Sequence, residues 1–129
     1  MAAPEQEAQS WVEEILGERF AAGTFCESLR TGERLIALAN KIKPGSIPKW
    51  NVAPAMKIKM QENISLFLRA IRSWGMKEFE MFDSGDVDKG NLKPVVICLH
   101  SLGRLLQTGE FASLNLPKLG IKVAEKHVR

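Results

Sequence analysis

A chain of 129 residues, 45% hydrophobic and 26% charged, fits one globular domain long enough to bury a single core without disulfides or metals. No apolar run approaches the roughly 20 residues of a membrane-crossing helix, and the start MAAPEQEAQSW lacks the basic flank and apolar stretch of a secretory signal. The net charge of +3 hides a segregation, with seven acids against three bases in residues 1–40, eight bases against Glu62 alone in 41–77, and six acids against three bases in 78–116.

From the N-terminus, Pro4 suits a first helical turn, where its missing N–H is no loss, and Glu5 and Glu7 suit that turn's positive end. Ala8, Trp11, Val12, Ile15 and Leu16 then recur at helical spacing, which predicts an amphipathic helix over 4–17 stopped near Gly17. Thr24 and Glu27 have the spacing of a capping box for a short turn through Leu29. Leu35, Leu38, Ala39 and Ile42 mark a second helical face, ended by KPGSIP with its two prolines and glycine. Residues 45–56 read as an irregular loop with Trp50 folded back onto the core. A long helix over about 57–74 follows, built on Met60, Ile64, Phe67, Leu68, Ile71 and Trp74 and closed by Gly75. Asn63 lies beside that stripe, and if buried it must find partners in a loop backbone. KEFEMFDSGDVDKGN is too short and mixed for a long helix and reads as a turn followed by a loop.

The clearest periodicity lies in Asn91–Thr108, with Pro94 tolerated in its first turn. Leu92, Val95, Val96, Leu99, Leu102, Leu105 and Leu106 share one face. The opposite face carries Lys93, Ile97, His100, Arg104 and Gln107, a basic stripe with one hydrophobe. Strand signals are weak throughout, so the predicted class is all-α, a compact helical bundle of about four main helices plus short helical turns.

The residues for catalysis are missing. FDSGDVDKGN approaches a calcium loop through Asp86, Asp88 and Gly90, but the sixth and twelfth positions fall on Asn91 and Ile97 instead of Gly and Glu. Asp86 is better suited to capping a turn or helix start. Cys98 and His100 sit two apart and face different sides of a helix, so they do not share a metal. No Walker-type GxxxxGK and no GxSxG occurs. The expectation is no enzyme, no metal, no cofactor and no nucleic-acid interface. Cys26 and Cys98 read as reduced, small core residues of a cytoplasmic protein.

Four blocks in order resemble the calponin homology family, over roughly residues 8–107. Trp11 in AQSWVEEIL resembles its first-helix tryptophan, and LRTGERLIALANKIKPGSI resembles its second block through Leu29, Gly32, Leu35, Asn40, Pro44 and Gly45. MQENISLFLRAIRSWGM matches through Glu62, Asn63, Ile64, Phe67, Leu68 and Gly75. MFDSGDVDKGNLKPVVICLHSLG matches through Phe82, Asp86, Asn91, Val95 or Val96, Leu99 and Leu102, with Val87 where leucine is usual. The likeness is to the single-domain type of calponin and transgelin, which implies a calponin-homology domain over 1–110 and a basic extension over 111–129. The tail stops in mid-pattern at Arg129, before any calponin-type repeat, and the expectation is an excised domain.

The resemblance implies a cytoskeletal, actin-facing surface drawn from the first helix and the last long one. On this chain the second of these becomes Lys93, Ile97, His100 and Arg104. Lys57, Lys59, Arg69 and Arg72, on the polar side of the other long helix, form a rival basic patch. Expected partners are F-actin or an actin-associated protein, with tubulin as a further candidate through the basic segment 41–77, and the chain is expected to be a monomer. A scaffold or signalling role without filament binding is the alternative. Charges segregated in sequence also have a plainer outcome, in which the fold mixes them again.

Overall fold

The computed structural model describes residues 4–20, 25–114, 116, 117 and 119. Six α-helices follow one another: α1 (Pro4–Leu16), α2 (Phe25–Ser28), α3 (Glu33–Ile42), α4 (Lys57–Ser73), α5 (Ser84–Lys89) and α6 (Leu92–Leu105). Two 3-10 turns, Glu78–Glu80 and Gly109–Leu114, complete the described secondary structure, and no strand occurs among the described residues. The all-α expectation therefore holds, with α1, α3, α4 and α6 as its four main helices.

α3 lies between α4 and α1, α1 packs on α6, and short α5 sits against α2, α4 and α6. The core is where the periodic faces meet. Val95, Leu99 and Leu102 of α6 are fully buried, as are Phe67 and Ile71 of α4, Leu35 and Leu38 of α3, and Val12 of α1. Each such side chain removed from water contributes about 1.5–3 kcal/mol, so α6, apolar over the full length of one side, acts as the central wall.

One glycine is fixed by its neighbours. Gly32 opens α3 with a left-handed φ of 80°. A Cβ there would lie 2.6 Å from the Asn63 Cβ and 3.0 Å from the Ile64 amide nitrogen, so α3 and α4 approach closely at this point because the residue has no side chain.

Two expectations need correction. The stretch after α4 holds a real helix, α5, where the sequence suggested a turn and loop. Its N-cap is Asp83, and Asp86 caps the same helix start as expected: Gly85 N–H donates to Asp83 Oδ2 at 2.9 Å, while Asp86 reaches back to accept the Asp83 N–H at 2.9 Å. This reciprocal capping box, together with buried Val87, stabilises a helix too short to show periodicity. Trp50, expected on the core, lies outside it at 40% exposure, because Ile47 takes the inward position of that loop. The Thr24 cap lies outside the described residues, as does most of the basic tail.

What is described beyond residue 110 continues the packing. Phe111 is buried, its ring 5.3 Å from that of Trp74. The Trp11 indole N–H donates to the Pro117 carbonyl at 2.7 Å, Gln107 Nε2 donates to the Leu119 carbonyl at 3.2 Å, and Leu119 is buried. The segment thus lies back on α1 and α6.

Candidate functional site

α6 presents its outer face because its inner one is consumed by the core. Within the stripe Lys93, Ile97, His100 and Arg104, the structure separates two pairs. Lys93 is exposed and Ile97 is 49% exposed. His100 and Arg104 are half-buried. The His100 Nε2–H donates to the Pro4 carbonyl at 3.0 Å, so the proton sits on Nε2 and the ring ties α6 to the start of α1. Arg104 Nη2 donates to Ser101 Oγ at 3.1 Å, which satisfies a hydroxyl that is itself buried.

Lys93 and Arg104 have no acidic partner among the described residues, and Lys93 therefore carries an unopposed charge beside an exposed isoleucine. Exposed Glu5 and half-buried Glu7 stand in the first turn of α1, next to the carbonyl that His100 holds. The two helices named by the sequence reading are thus neighbours, and their joint surface is mixed in charge, basic on the α6 side.

The rival patch is far less basic than its sequence suggests. Lys57 Nζ lies 3.2 Å from Asp88 Oδ2, Lys59 Nζ lies 3.8 Å from Glu62 Oε1, and Arg72 donates two parallel bonds of 3.1 Å to the Glu78 carboxylate. Arg69 has no acidic partner among the described residues. It lines an open groove of about 510 Å³ with Leu68, Arg72, Glu78 and Phe82. Acids of the 78–116 segment also meet bases elsewhere, in Arg30 with Asp88 at 3.9 Å and Lys43 with Glu110 at 3.5 Å. Folding has therefore mixed the segregated charges in part, and it leaves α6 less compensated than α4.

Both thiols are buried and free. Burial pushes the Cys98 thiol up to about 12, with a further contribution from Glu80. Burial also raises Cys26, helped by Glu5 and Asp86. Among the described residues no group of three or more His, Cys, Asp or Glu is placed to hold a metal ion, and no helix is long and apolar enough to cross a membrane.

A second surface escaped the sequence reading. The loop 45–56 is pinned from behind by buried Asn63, whose Oδ1 accepts the Asn51 N–H at 2.8 Å and whose Nδ2 donates to the Asn51 and Thr31 carbonyls at 2.9 and 3.0 Å. Asn40 brackets Ile47 in the same way, accepting its N–H at 2.8 Å and donating to its carbonyl at 3.1 Å. The only signal in the sequence was a pair of asparagines beside helical apolar faces, and one of them, Asn63, was read as needing loop partners.

Comparison with known proteins places these features in context. The family model for the calponin homology (CH) domain matches residues 2–108. Myophilin of Echinococcus granulosus is 36% identical over 128 residues, covering 97% of this chain and 66% of that protein. Muscle-specific protein 20 of Drosophila melanogaster is 33% identical over 124 residues, covering 95% of this chain and 66% of that protein. The chain thus spans just under two thirds of the length of these relatives. Among solved structures, the calponin-homology domain of Rng2 from Schizosaccharomyces pombe superposes with a TM-score of 0.76 at 31% identity, over 90% of this chain and 72% of that one.

Proposed function

Because the chain belongs to the calponin homology family, we propose that it is a non-catalytic cytoskeletal interaction module that associates weakly with F-actin through the outer face of α6. One observation carries the reading: Lys93 is exposed, has no acidic partner among the described residues, and stands on the same face as half-exposed Ile97. An acidic filament surface would meet a free charge there, whereas at Lys57, Lys59 and Arg72 it would have to displace acids already in place. Surface charge contacts of this kind are worth about 0.2–1 kcal/mol each and are screened by salt, which is why the association is weak and salt-sensitive. In this reading residues 1–110 form the module and 111–129 its basic extension, whose described part lies on α1 and α6.

The test is co-sedimentation with F-actin at low and moderate salt. Wild-type protein pellets at low salt, and Lys93→Glu weakens pelleting by about fivefold, the factor expected for about 1 kcal/mol. Absence of pelleting at any salt refutes filament binding. Pelleting indifferent to Lys93→Glu and Arg104→Glu refutes the site. Tubulin run in parallel tests the basic segment 41–77 as a microtubule surface.

A second reading, a scaffold that holds another protein without touching a filament, is favoured by the exposure of Ile97. Binding that survives high salt and is lost in Ile97→Asp identifies it.

A further inference from the structure

Four large apolar side chains lie exposed within nine residues of chain, where α3 hands over to α4. Val52 is 74% exposed, Met56 62%, Ile58 58% and Trp50 40%. Single exposed hydrophobes are ordinary, but a run of four on one loop and the helix end it enters is not. Nor is this a slack loop that happens to expose them. Asn63 and Asn40 clamp its backbone at Asn51 and Ile47 as described. The Asn51 side chain donates to the Lys59 carbonyl at 3.2 Å and to Glu62 Oε1 at 3.1 Å, which sets residues 50–52 alongside the first turns of α4. Ala53 is held in the left-handed region at a φ of 47°, a conformation costing a residue with a side chain about 1 kcal/mol, and its N–H donates to Glu33 Oε2 at 2.8 Å. Hydrogen bonds thus fix the loop, and beyond buried Ile47 its large apolar groups face out.

Within the loop and the helix end it enters, the charge has one sign. Residues 45–59 contain Lys49, Lys57 and Lys59 and no acid. α4 begins without an acid in its first turn, so its positive end is reinforced by lysines where helices usually place carboxylates. The nearest acids, Glu33, Glu62 and Asp88, are already engaged with Ala53, with Asn51 and Lys59, and with Lys57. Lys49 has no acidic partner among the described residues.

We propose that Trp50, Val52, Met56 and Ile58, with uncompensated Lys49 beside them and no acid in residues 45–59, form a preorganised docking surface for a segment of a partner protein that presents apolar side chains flanked by carboxylates. The half-exposed tryptophan supplies the anchor that dominates such interfaces, and the clamped backbone lowers the ordering cost of binding. A partner protein fits better than an acidic lipid surface, because Glu62 and Asp88 stand among the lysines and would face a uniformly negative membrane. The surface shares no residue with the α6 stripe, so it stands or falls independently of filament binding.

The experiment selects binders from a displayed library of random 16-residue peptides on the full chain, then measures the best synthetic peptide by titration calorimetry. Selected peptides are expected to combine two or three apolar residues with Asp or Glu. Val52→Asp and Ile58→Asp should each weaken the peptide at least tenfold, Lys49→Glu about fivefold, and Lys93→Glu should leave it unchanged. Both apolar positions are exposed, so the variants should keep the wild-type circular dichroism and unfolding midpoint. The proposal is overturned if no peptide is enriched, if the enriched peptides lack acids, or if they are insensitive to Val52→Asp and Ile58→Asp. Binding of the chain to phosphatidylserine vesicles that is abolished by the same two substitutions also overturns it, since the surface would then belong to a membrane.

Discussion

Asn63→Ala should be among the most damaging single substitutions in this chain, although the residue lies in no binding surface and does not belong to the apolar stripe of its helix. The side chain is completely buried and makes three short bonds, accepting the Asn51 N–H at 2.8 Å and donating to the Asn51 carbonyl at 2.9 Å and the Thr31 carbonyl at 3.0 Å. Alanine removes all three partners at once. Each buried group left without one costs about 1–3 kcal/mol, but Asn51 and Thr31 are themselves only half-buried and water can reach part of the deficit, so the expected loss is about 3–5 kcal/mol. Against a typical total of about 5–15 kcal/mol, that is a large share. Urea unfolding followed by helical circular dichroism measures it, with the slope unchanged. Asn63→Asp sharpens the test: it keeps the acceptor for the Asn51 N–H but turns a carboxylate oxygen toward two carbonyls. That carboxyl should hold its proton more tightly in the folded protein than in the unfolded chain, so the variant should be closest to wild type at low pH and fall behind as pH rises. A loss below about 1 kcal/mol in Asn63→Ala, or a pH-independent loss in Asn63→Asp, refutes the view that this asparagine holds the loop to α4.

Gly103→Ala should loosen the segment beyond α6, because a Cβ there would lie 2.7 Å from the Leu119 Cβ and 2.9 Å from the Leu119 carbonyl oxygen, a misfit on the order of 1–3 kcal/mol. The Trp11–Pro117 bond should weaken with it, giving a lower thermal midpoint and a shifted tryptophan emission; unchanged values for both would remove this contact from the fold. Neither thiol should react with a disulfide reagent in the native protein at pH 8. With Cys98 raised to about 12 by burial, about one thiol in ten thousand is ionised at that pH, and both should titrate once the chain is unfolded in guanidinium. The folded thiol holds its proton more tightly than the unfolded one, so its contribution to stability is complete below about pH 8.5 and is lost as pH rises toward 12.

Where apolar residues repeat over several turns, the sequence disclosed the fold. Leu99 and Leu102, Phe67 and Ile71, and Leu35 and Leu38 all lie buried where helical spacing predicted, since burial of one face is what stabilises a helix of that length. α5 was not legible, for it has six residues and rests on the Asp83–Asp86 capping box and a single buried valine, signals that periodicity does not carry. Trp50 was misplaced for a related reason. A large aromatic in a loop is a sound core candidate by composition alone, and only the bracketing of Ile47 by Asn40 shows which residue of that loop turns inward. The α6 stripe was legible as positions but not as charges: spacing puts Lys93, Ile97, His100 and Arg104 on one face, yet the Pro4 carbonyl and the Ser101 hydroxyl that occupy two of them come from tertiary contact and from a buried polar residue inside the helix. The compensation of Lys57 and Arg72 was equally out of reach, because Asp88 and Glu78 lie beyond the end of α4.

These observations assign different physical roles to the two long helices that the sequence treats alike. α6 carries its free charge on a regular helical face, whose geometry is set by the core behind it, so a substitution at Lys93 changes charge without changing shape. α4 carries little free charge along its length, and its contribution lies at its beginning, where the asparagine clamps convert an irregular loop into a fixed one. A salt titration acts mainly on the first surface, since screening weakens exposed charges and leaves apolar contact intact. Loss of a buried hydrogen bond acts mainly on the second, since it releases the loop while Val95, Leu99 and Leu102 still hold α6 in the core. The two surfaces are therefore separable by ordinary perturbations, and a partner that responds to both must contact the outer face of α6 as well as the start of α4.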